Sequence, residues 1–285
     1  MRKKPMLAYP VSDKPIDYTQ PVFMQPKLDG VRCLIQAEKL PFDMGYEPVA
    51  YSRTGKQWKN IDHILQSLTP FFQANPDVIL DGELYNHALK DDFEKIISCV
   101  RKTKPTDADR AESRKLVQFH CYDIVDESMT FEERYKFVLS KLRDSYGVRT
   151  VETIFSITDQ YQAHAYHDIN LRNGYEGSIL RLNTKYQCKR SHSLRKFKDF
   201  HDAEAVITDW VEGKGKRKGT IGKFMAIDAD GNEFGMPVMD NFKKLQTMFK
   251  EMQSWIGKEA TFTYFERTKA NSYRHPLFKA IRDYE

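Results

Sequence analysis

Cysteine is scarce in this 285-residue chain, which has only Cys33, Cys99, Cys121 and Cys188. No two form a CxxC pair and no histidine stands at zinc-finger spacing from them, so a structural zinc framework is not expected. No run approaches the ~20 apolar residues that a membrane-spanning helix needs. Met1-Arg-Lys-Lys-Pro carries charge, but no apolar segment follows. No secretory leader is read, and a cytoplasmic setting with reduced thiols and no membrane partner is expected. Internal repeats and low-complexity tracts are missing. So is a G-X-Y period, despite 14 glycines, which excludes a collagen-like chain.

What is present argues for a folded chain. Hydrophobic residues make up 40% and aromatics 13%, too rich for disorder. The length suits two domains or one large one. Lys and Arg number 45 against 40 Asp and Glu, a net of +5 that names no partner. Distribution says more. Between Arg181 and Phe200 lie Arg181, Lys185, Lys189, Arg190, Arg195, Lys196 and Lys198, opposed only by Asp199. A second basic run is Lys214-Gly-Lys-Arg-Lys218. Such patches suit polyphosphate ligands, although a single charge run is more often a solvated face.

The local patterns predict an α+β chain. Residues 1–20 read as an extended arm outside the core. Residues 21–37 read as a strand, a turn at Asp29-Gly30 and a second strand. Helices are expected over 58–68, 93–100 and 158–172. Strands are expected over 78–80, 116–124 and 177–182, and 101–115 reads as a surface loop with almost no apolar side chains. Thr130 with Glu133 forms a capping box, opening a helix whose face is Phe131, Tyr135, Val138, Leu139 and Leu142. After residue 200, short strands are expected over 205–211, 222–227, 233–236 and 260–265. One helix interrupts them, capped by Asp240, striped by Phe242, Leu245, Phe249 and Met252, and ended by Gly257. Short strands with one helix suggest a small barrel such as an OB-fold. The expected domains are 1–200 and 201–285, joined by a hinge near 199–203 rather than by a flexible tether.

The most informative stretch is Pro26-Lys27-Leu28-Asp29-Gly30-Val31-Arg32. A lysine amine is a covalent nucleophile when neutral, and nearby cations favour that form. Arg32, Lys196, Lys198 and a bound metal could supply them. Alone, the stretch could also be a lysine at a β-turn. Ordered companions strengthen it: Ser52-Arg53-Thr54-Gly55, Asp81-Gly82-Glu83, Tyr122-Asp123, Glu176-Gly177 and Lys196-Phe197-Lys198.

In this order the motifs resemble the covalent nucleotidyltransferase superfamily, in particular the small, minimal ATP-dependent DNA ligases of bacteriophage, viral or bacterial type. The resemblance covers nearly the whole chain. It implies a nucleotidyltransferase (ATP-grasp-like) domain followed by an OB-fold, with a cleft between them and domain reorientation during the cycle. It implies ATP and Mg2+ or Mn2+ as cofactors, nicked duplex DNA as partner, and a monomer serving repair, replication or recombination. Lys27 matches the lysine that attacks the α-phosphate and holds AMP. Gln25 matches a position near the adenine edge, and Arg32 an arginine near the ribose and the 5′-phosphate of the nick. Arg53 matches a nick-phosphate arginine. Glu83 matches the carboxylate on the ribose and, with Glu176, a metal-placing role. Tyr122 matches the aromatic stacked on adenine, and Lys196 and Lys198 the α-phosphate lysines. Arg190 lies in a connection beside the nucleic-acid surface of relatives, with Lys216 and Arg217 as further DNA contacts. Tyr273 to Asp283 resembles the last motif, in which Arg282 would touch the β,γ-phosphates. Where the family's longer pattern ends in lysine, Tyr284 and Glu285 follow here.

Blander readings stand beside these. Taken alone, Asp81-Gly82 reads as a turn with Glu83 a surface residue, and Tyr122 reads as core. His164 and His167, one turn apart with no carboxylate or cysteine partner, read as structural or exposed, and the Phe242–Met252 stripe as core. An RNA ligase of the same superfamily is the alternative function. A silent nucleic-acid-binding module is a further one, although Lys27 and the carboxylates are all present.

Overall fold

A computed structural model describes residues 3–198, 200–268 and 271–282. The chain divides into two compact units, residues 1–198 and 199–285.

In the first unit the elements are β1 (Leu7–Pro10), β2 (Val22–Lys27), β3 (Val31–Lys39), β4 (Tyr46–Ser52), α1 (Asp62–Ala74), β5 (Ile79–Tyr85), α2 (Phe93–Val100), α3 (Asp107–Leu116), β6 (Gln118–Ile124), α4 (Phe131–Lys141), β7 (Val148–Thr150), α5 (Gln160–Arg172), β8 (Gly177–Leu182) and β9 (Arg190–Phe197). They build two sheets, one in the order β1-β9-β8-β2 and one in the order β4-β3-β5-β6-β7. Residues 28–30 do turn the chain, but β2 and β3 do not pair as a hairpin. The chain leaves one sheet at Lys27 and enters the other at Val31.

Strand alternation then sorts the side chains. On β2, Val22 and Met24 pack with Leu180, Phe197 and Ala163 of α5. Phe23, Gln25 and Lys27 therefore take the other face. On β3, β5 and β6, Cys33, Ile35, Leu80, Leu84, Phe119 and Cys121 join a core with Ile64, Leu68 and Phe72 of α1 and Ile96 of α2. Arg32, Asp81 and Glu83 are left off that core face, and Tyr122 packs half-buried against its margin.

Several expectations are corrected. Of the expected arm over residues 1–20, the described part is not outside the core: Met6 is buried and β1 pairs in parallel with β9. Residues 101–115 are not simply a loop, because α3 occupies 107–116. Thr106 and Asp109 bond reciprocally as a capping box, a device worth about 1 kcal/mol. Lys95–Glu112 at 2.5 Å and Lys102–Asp109 at 3.3 Å tie it down. Asp81-Gly82 is not a turn but the middle of β5. The first helix begins at Asp62 and runs on through Pro70. Thr130 and Glu133 do cap α4, yet Leu139 is exposed rather than part of its buried face. His167 stacks on Phe197 with ring centroids 3.9 Å apart and meets Ser178 Oγ, whereas His164 is exposed.

The second unit contains β10 (His201–Glu212), β11 (Ile221–Ile227), β12 (Glu233–Pro237), α6 (Phe242–Lys250), α7 (Met252–Trp255), β13 (Glu259–Tyr264), β14 (Glu266–Arg267), β15 (Tyr273–Arg274) and β16 (Leu277–Ile281). Five strands form one antiparallel sheet in the order β12-β11-β10-β13-β16. Its two edge strands, β12 and β16, approach within 8 Å, so the sheet curls back on itself as an OB-type unit does. Phe224, Phe234, Phe262, Leu245 and Met248 fill it. Asn241 rather than Asp240 caps α6, and Phe242 is exposed rather than core. Residue 199, within the expected hinge, residue 283, which ends the Tyr273–Asp283 stretch, and residues 284 and 285 lie outside the described residues. Among the described residues no helix is long and apolar enough to cross a membrane.

Candidate active site

The site begins where β2 crosses between the sheets. Gly30 lets that turn lie against β5, since a Cβ there would stand 2.4 Å from the Leu84 carbonyl oxygen and 2.7 Å from Glu83 Cγ. Lys27 is the register partner of Gly177 on β8, which places Glu176 beside it, and the Glu176 N–H donates to the Lys27 carbonyl at 3.2 Å. Glu176, with a side chain only 5% exposed, receives Lys27 Nζ on Oε2 and Lys198 Nζ on Oε1. Lys196 stands in the same neighbourhood. Burial, then the charges of Lys27 and Arg190, push its ammonium below the usual lysine range. Two lysines thus hold one carboxylate, and a third stands close enough to Lys27 to feel its charge.

The facing sheet supplies the other half. Arg32 and Glu83 are register partners on β3 and β5. Burial pushes the Glu83 carboxyl up to about 7, against the opposing pull of Arg32 and Lys27. Tyr122 OH donates to Glu83 Oε2 at 3.2 Å. Arg32 grips Asp81 through two bonds of 2.6 Å, and its Cζ lies 5.1 Å from the Tyr122 ring centroid. Arg181 Cζ lies 5.3 Å from the same ring. Burial holds the Tyr122 hydroxyl well above the usual phenol range, so it stays a neutral donor.

Beneath these lies an ionic layer of which the ordered motifs include Asp123 and Gln25 but not Arg134 or Arg181. Asp123 is fully buried. It accepts from Arg134 Nε at 2.7 Å, Arg134 Nη2 at 3.1 Å and Arg181 Nη1 at 2.7 Å. Arg181 Nε donates to Gln25 Oε1 at 2.6 Å. Gln25 Nε2 donates in turn to the Tyr122 carbonyl at 3.2 Å and to Thr153 Oγ1 at 2.8 Å. The 2%-exposed Gln25 side chain thus braces the strand that carries Tyr122. For Gln25, Asp123 and Arg181 the signal was a charge or amide at a strand position among apolar neighbours; Arg134 lies on α4.

Lys27, Arg32, Glu83, Tyr122, Glu176, Lys196 and Lys198 are therefore brought together. Other candidates are not joined to this group. Arg53 is exposed in the turn after β4, and Arg190 is exposed on β9, donating to the Ala8 carbonyl at 2.5 Å and reaching the group only through its charge on Lys196. In the second unit Lys216 is exposed. Arg217 Nη2 is tied to the carbonyls of Ile221 and Val238 at 3.2 and 2.8 Å, so its role there is to brace a loop. Arg282 pairs with Glu204 and stands 3.5 Å from Glu259. No cluster of three or more His, Cys, Asp or Glu poised for a metal occurs among the described residues.

Comparison with known proteins gives a consistent result. A DNA ligase of African swine fever virus is 28% identical over 215 residues, which is 72% of this chain and 48% of that protein. The chain therefore spans about half the length of the curated relatives it matches. A Lig E DNA ligase structure superposes with a TM-score of 0.74 at 22% identity, covering 99% of this chain and 100% of that one. The ATP-dependent DNA ligase of bacteriophage T7, in complex with ATP, superposes with a TM-score of 0.56 at 18% identity, covering 98% of both. These superpositions identify the fold: a nucleotidyltransferase unit followed by an OB-fold unit. Residues 5–198, the whole span that carries the lysine–carboxylate site, match the family described as the ATP dependent DNA ligase domain, and the chain belongs to that family.

Proposed function

We propose that this chain is an ATP-dependent DNA ligase that seals 3′-OH/5′-phosphate nicks through AMP carried on Lys27. The observation that supports this most directly is the convergence on one carboxylate of Lys27 and Lys198, with Lys196 beside them. In the first step the lone pair of Lys27 Nζ attacks the α-phosphorus. The bond from phosphorus to the pyrophosphate oxygen breaks, and pyrophosphate leaves with its electrons. Nζ must be neutral to do this: the ion pair with Glu176 favours the ammonium and has to be released, while the charge of Lys196 favours loss of the proton. Lys196 and Lys198 then stabilise charge growing on the phosphate oxygens, an electrostatic contribution that dominates such transfers.

Tyr122 is assigned to the adenine face and Glu83 to the ribose hydroxyls. Gln25 acts behind Tyr122 rather than on the base edge with its own side chain. In the second step the 5′-phosphate of the nick displaces Lys27 and takes AMP, with Arg32 and Arg53 as candidate phosphate partners. In the third the adjacent 3′-OH attacks that phosphate, expelling AMP and closing the strand. Glu83 and Glu176 offer only oxygen donors, which suits Mg2+ completed by phosphate oxygens. When bound, the ion would neutralise phosphate charge. Lys214, Lys216 and Lys218 are candidate contacts to the duplex backbone.

The test is to incubate the protein with labelled ATP and Mg2+, map the adduct by mass spectrometry, and offer nicked duplexes with DNA or RNA strands. AMP on Lys27, its loss in Lys27→Ala and preferential sealing of DNA are expected. Label on another residue, or none, overturns the mechanism. Preference for RNA overturns the substrate assignment.

A further inference from the structure

Tyr186 lies on the connection between β8 and β9, has no role in the site as read so far, and is 2% exposed. Its hydroxyl accepts from the Met6 N–H at 2.7 Å and donates to Asp81 Oδ2 at 2.7 Å. Asp81, itself fully buried, takes both Arg32 Nε and Arg32 Nη2. Arg32 Nη2 also donates to the Met6 carbonyl at 3.2 Å. The four residues form a closed circuit: Arg32 to Asp81, Asp81 to Tyr186, Tyr186 to Met6, and Met6 back to Arg32. Arg134, whose Cζ lies 5.3 Å from the Tyr186 ring centroid, holds the ring in place.

The circuit has a chemical consequence. A guanidinium has five N–H donors in a rigid plane. Fixing Nε and Nη2 at three acceptors fixes the direction of Nη1, which has no partner among the described residues. Removing the Tyr186 hydroxyl would leave the Met6 N–H without its acceptor and Asp81 without one donor. Both anchors of Arg32 would loosen together.

We propose that Tyr186 is a positioning residue: through Asp81 and Met6 it orients Arg32 so that Nη1 is presented to a phosphate of the nicked strand. This rests on the ligase reading above and adds a residue to it. A phenol buried only to fill space would behave differently, since phenylalanine fills the same volume.

The experiment starts from purified lysyl-AMP protein, so any fraction that cannot fold or adenylate is never counted. Transfer of AMP to the 5′-phosphate of a nicked DNA duplex is followed in a single turnover for wild type, Tyr186→Phe, Arg32→Ala and the double variant. Formation of lysyl-AMP is timed separately. Tyr186→Phe should slow transfer by about tenfold, the scale of one hydrogen bond to a charged group. Lysyl-AMP formation should stay within about twofold, and Tyr186→Phe should add nothing in the Arg32→Ala background. Unchanged transfer, an equal loss in both steps, or a full additional loss without Arg32 would each overturn the proposal. Wild-type protein that forms no lysyl-AMP would overturn the ligase reading itself, and this inference with it.

Discussion

Replacing Asp123 by asparagine keeps the shape of the side chain and removes one charge. Asp123 is fully buried, and its two oxygens accept four hydrogen bonds: three from Arg134 and Arg181, and one from the Ile124 N–H at 2.9 Å. Asparagine has one acceptor oxygen, and its NH2 would face a guanidinium donor. Two cations, in side chains 2% and 5% exposed, would then share no anion at this point. Breaking such a buried pair from one side costs about 3–5 kcal/mol. For a unit of this size each kcal/mol moves the melting temperature by about 2–4 °C, so a fall of about 6–20 °C is expected. The assay is thermal unfolding by circular dichroism at neutral pH, with Asp168→Asn, an exposed change of the same chemistry, as control. The control should stay within about 0.5 kcal/mol of wild type. A fall of less than about 2 °C for Asp123→Asn would refute the reasoning, because the buried guanidinia would then have another means of compensation.

Two further outcomes are expected. His120, held by burial at about 4 against its ordinary 6.5, stays neutral in the folded protein while the unfolded chain takes up a proton. Its contribution is therefore complete above pH 6.5 and lost as the pH falls toward 4, so His120→Gln should flatten the acid limb of a stability–pH curve; an unchanged limb counts against it. Gly177 has φ +147, and a Cβ there would meet the Phe197 carbonyl oxygen at 2.3 Å. Gly177→Ala should cost about 1–3 kcal/mol, push β9 and its lysines away from Glu176, and slow lysyl-AMP formation by at least about tenfold; wild-type rates would show that β9 accommodates the methyl without consequence.

Much of this was legible in the sequence where the pattern is local. The Thr130/Glu133 capping box, the β2–turn–β3 boundaries and the short strands of the second unit all lie close to where alternation and cap residues put them. The ordered motifs also named seven side chains that the fold brings together. What escaped depended on distant partners. Asp81-Gly82 looks like a turn dipeptide, and only Arg32 and Tyr186, remote in sequence, make it a buried strand anion. The Thr106/Asp109 box was present in the sequence, but α3 has no apolar stripe and buries only Ser113, so periodicity could not find it. β1 is four residues long and ends in proline, and nothing local announces a parallel partner.

That last pairing bears on how the protein emerges from the ribosome. Met6 waits for a tyrosine 180 residues later, and the strand beside it needs β9, which reaches Phe197. Until that stretch has been synthesised and has cleared the exit tunnel, β8 lacks one neighbour, Arg32 lacks part of its cradle, and the early segment with Met6, Leu7 and Tyr9 stays unpaired. Nascent chains arrested before β9 should accordingly be protease-sensitive in the β2–β8 sheet even though the β3–β5–β6 sheet can already form.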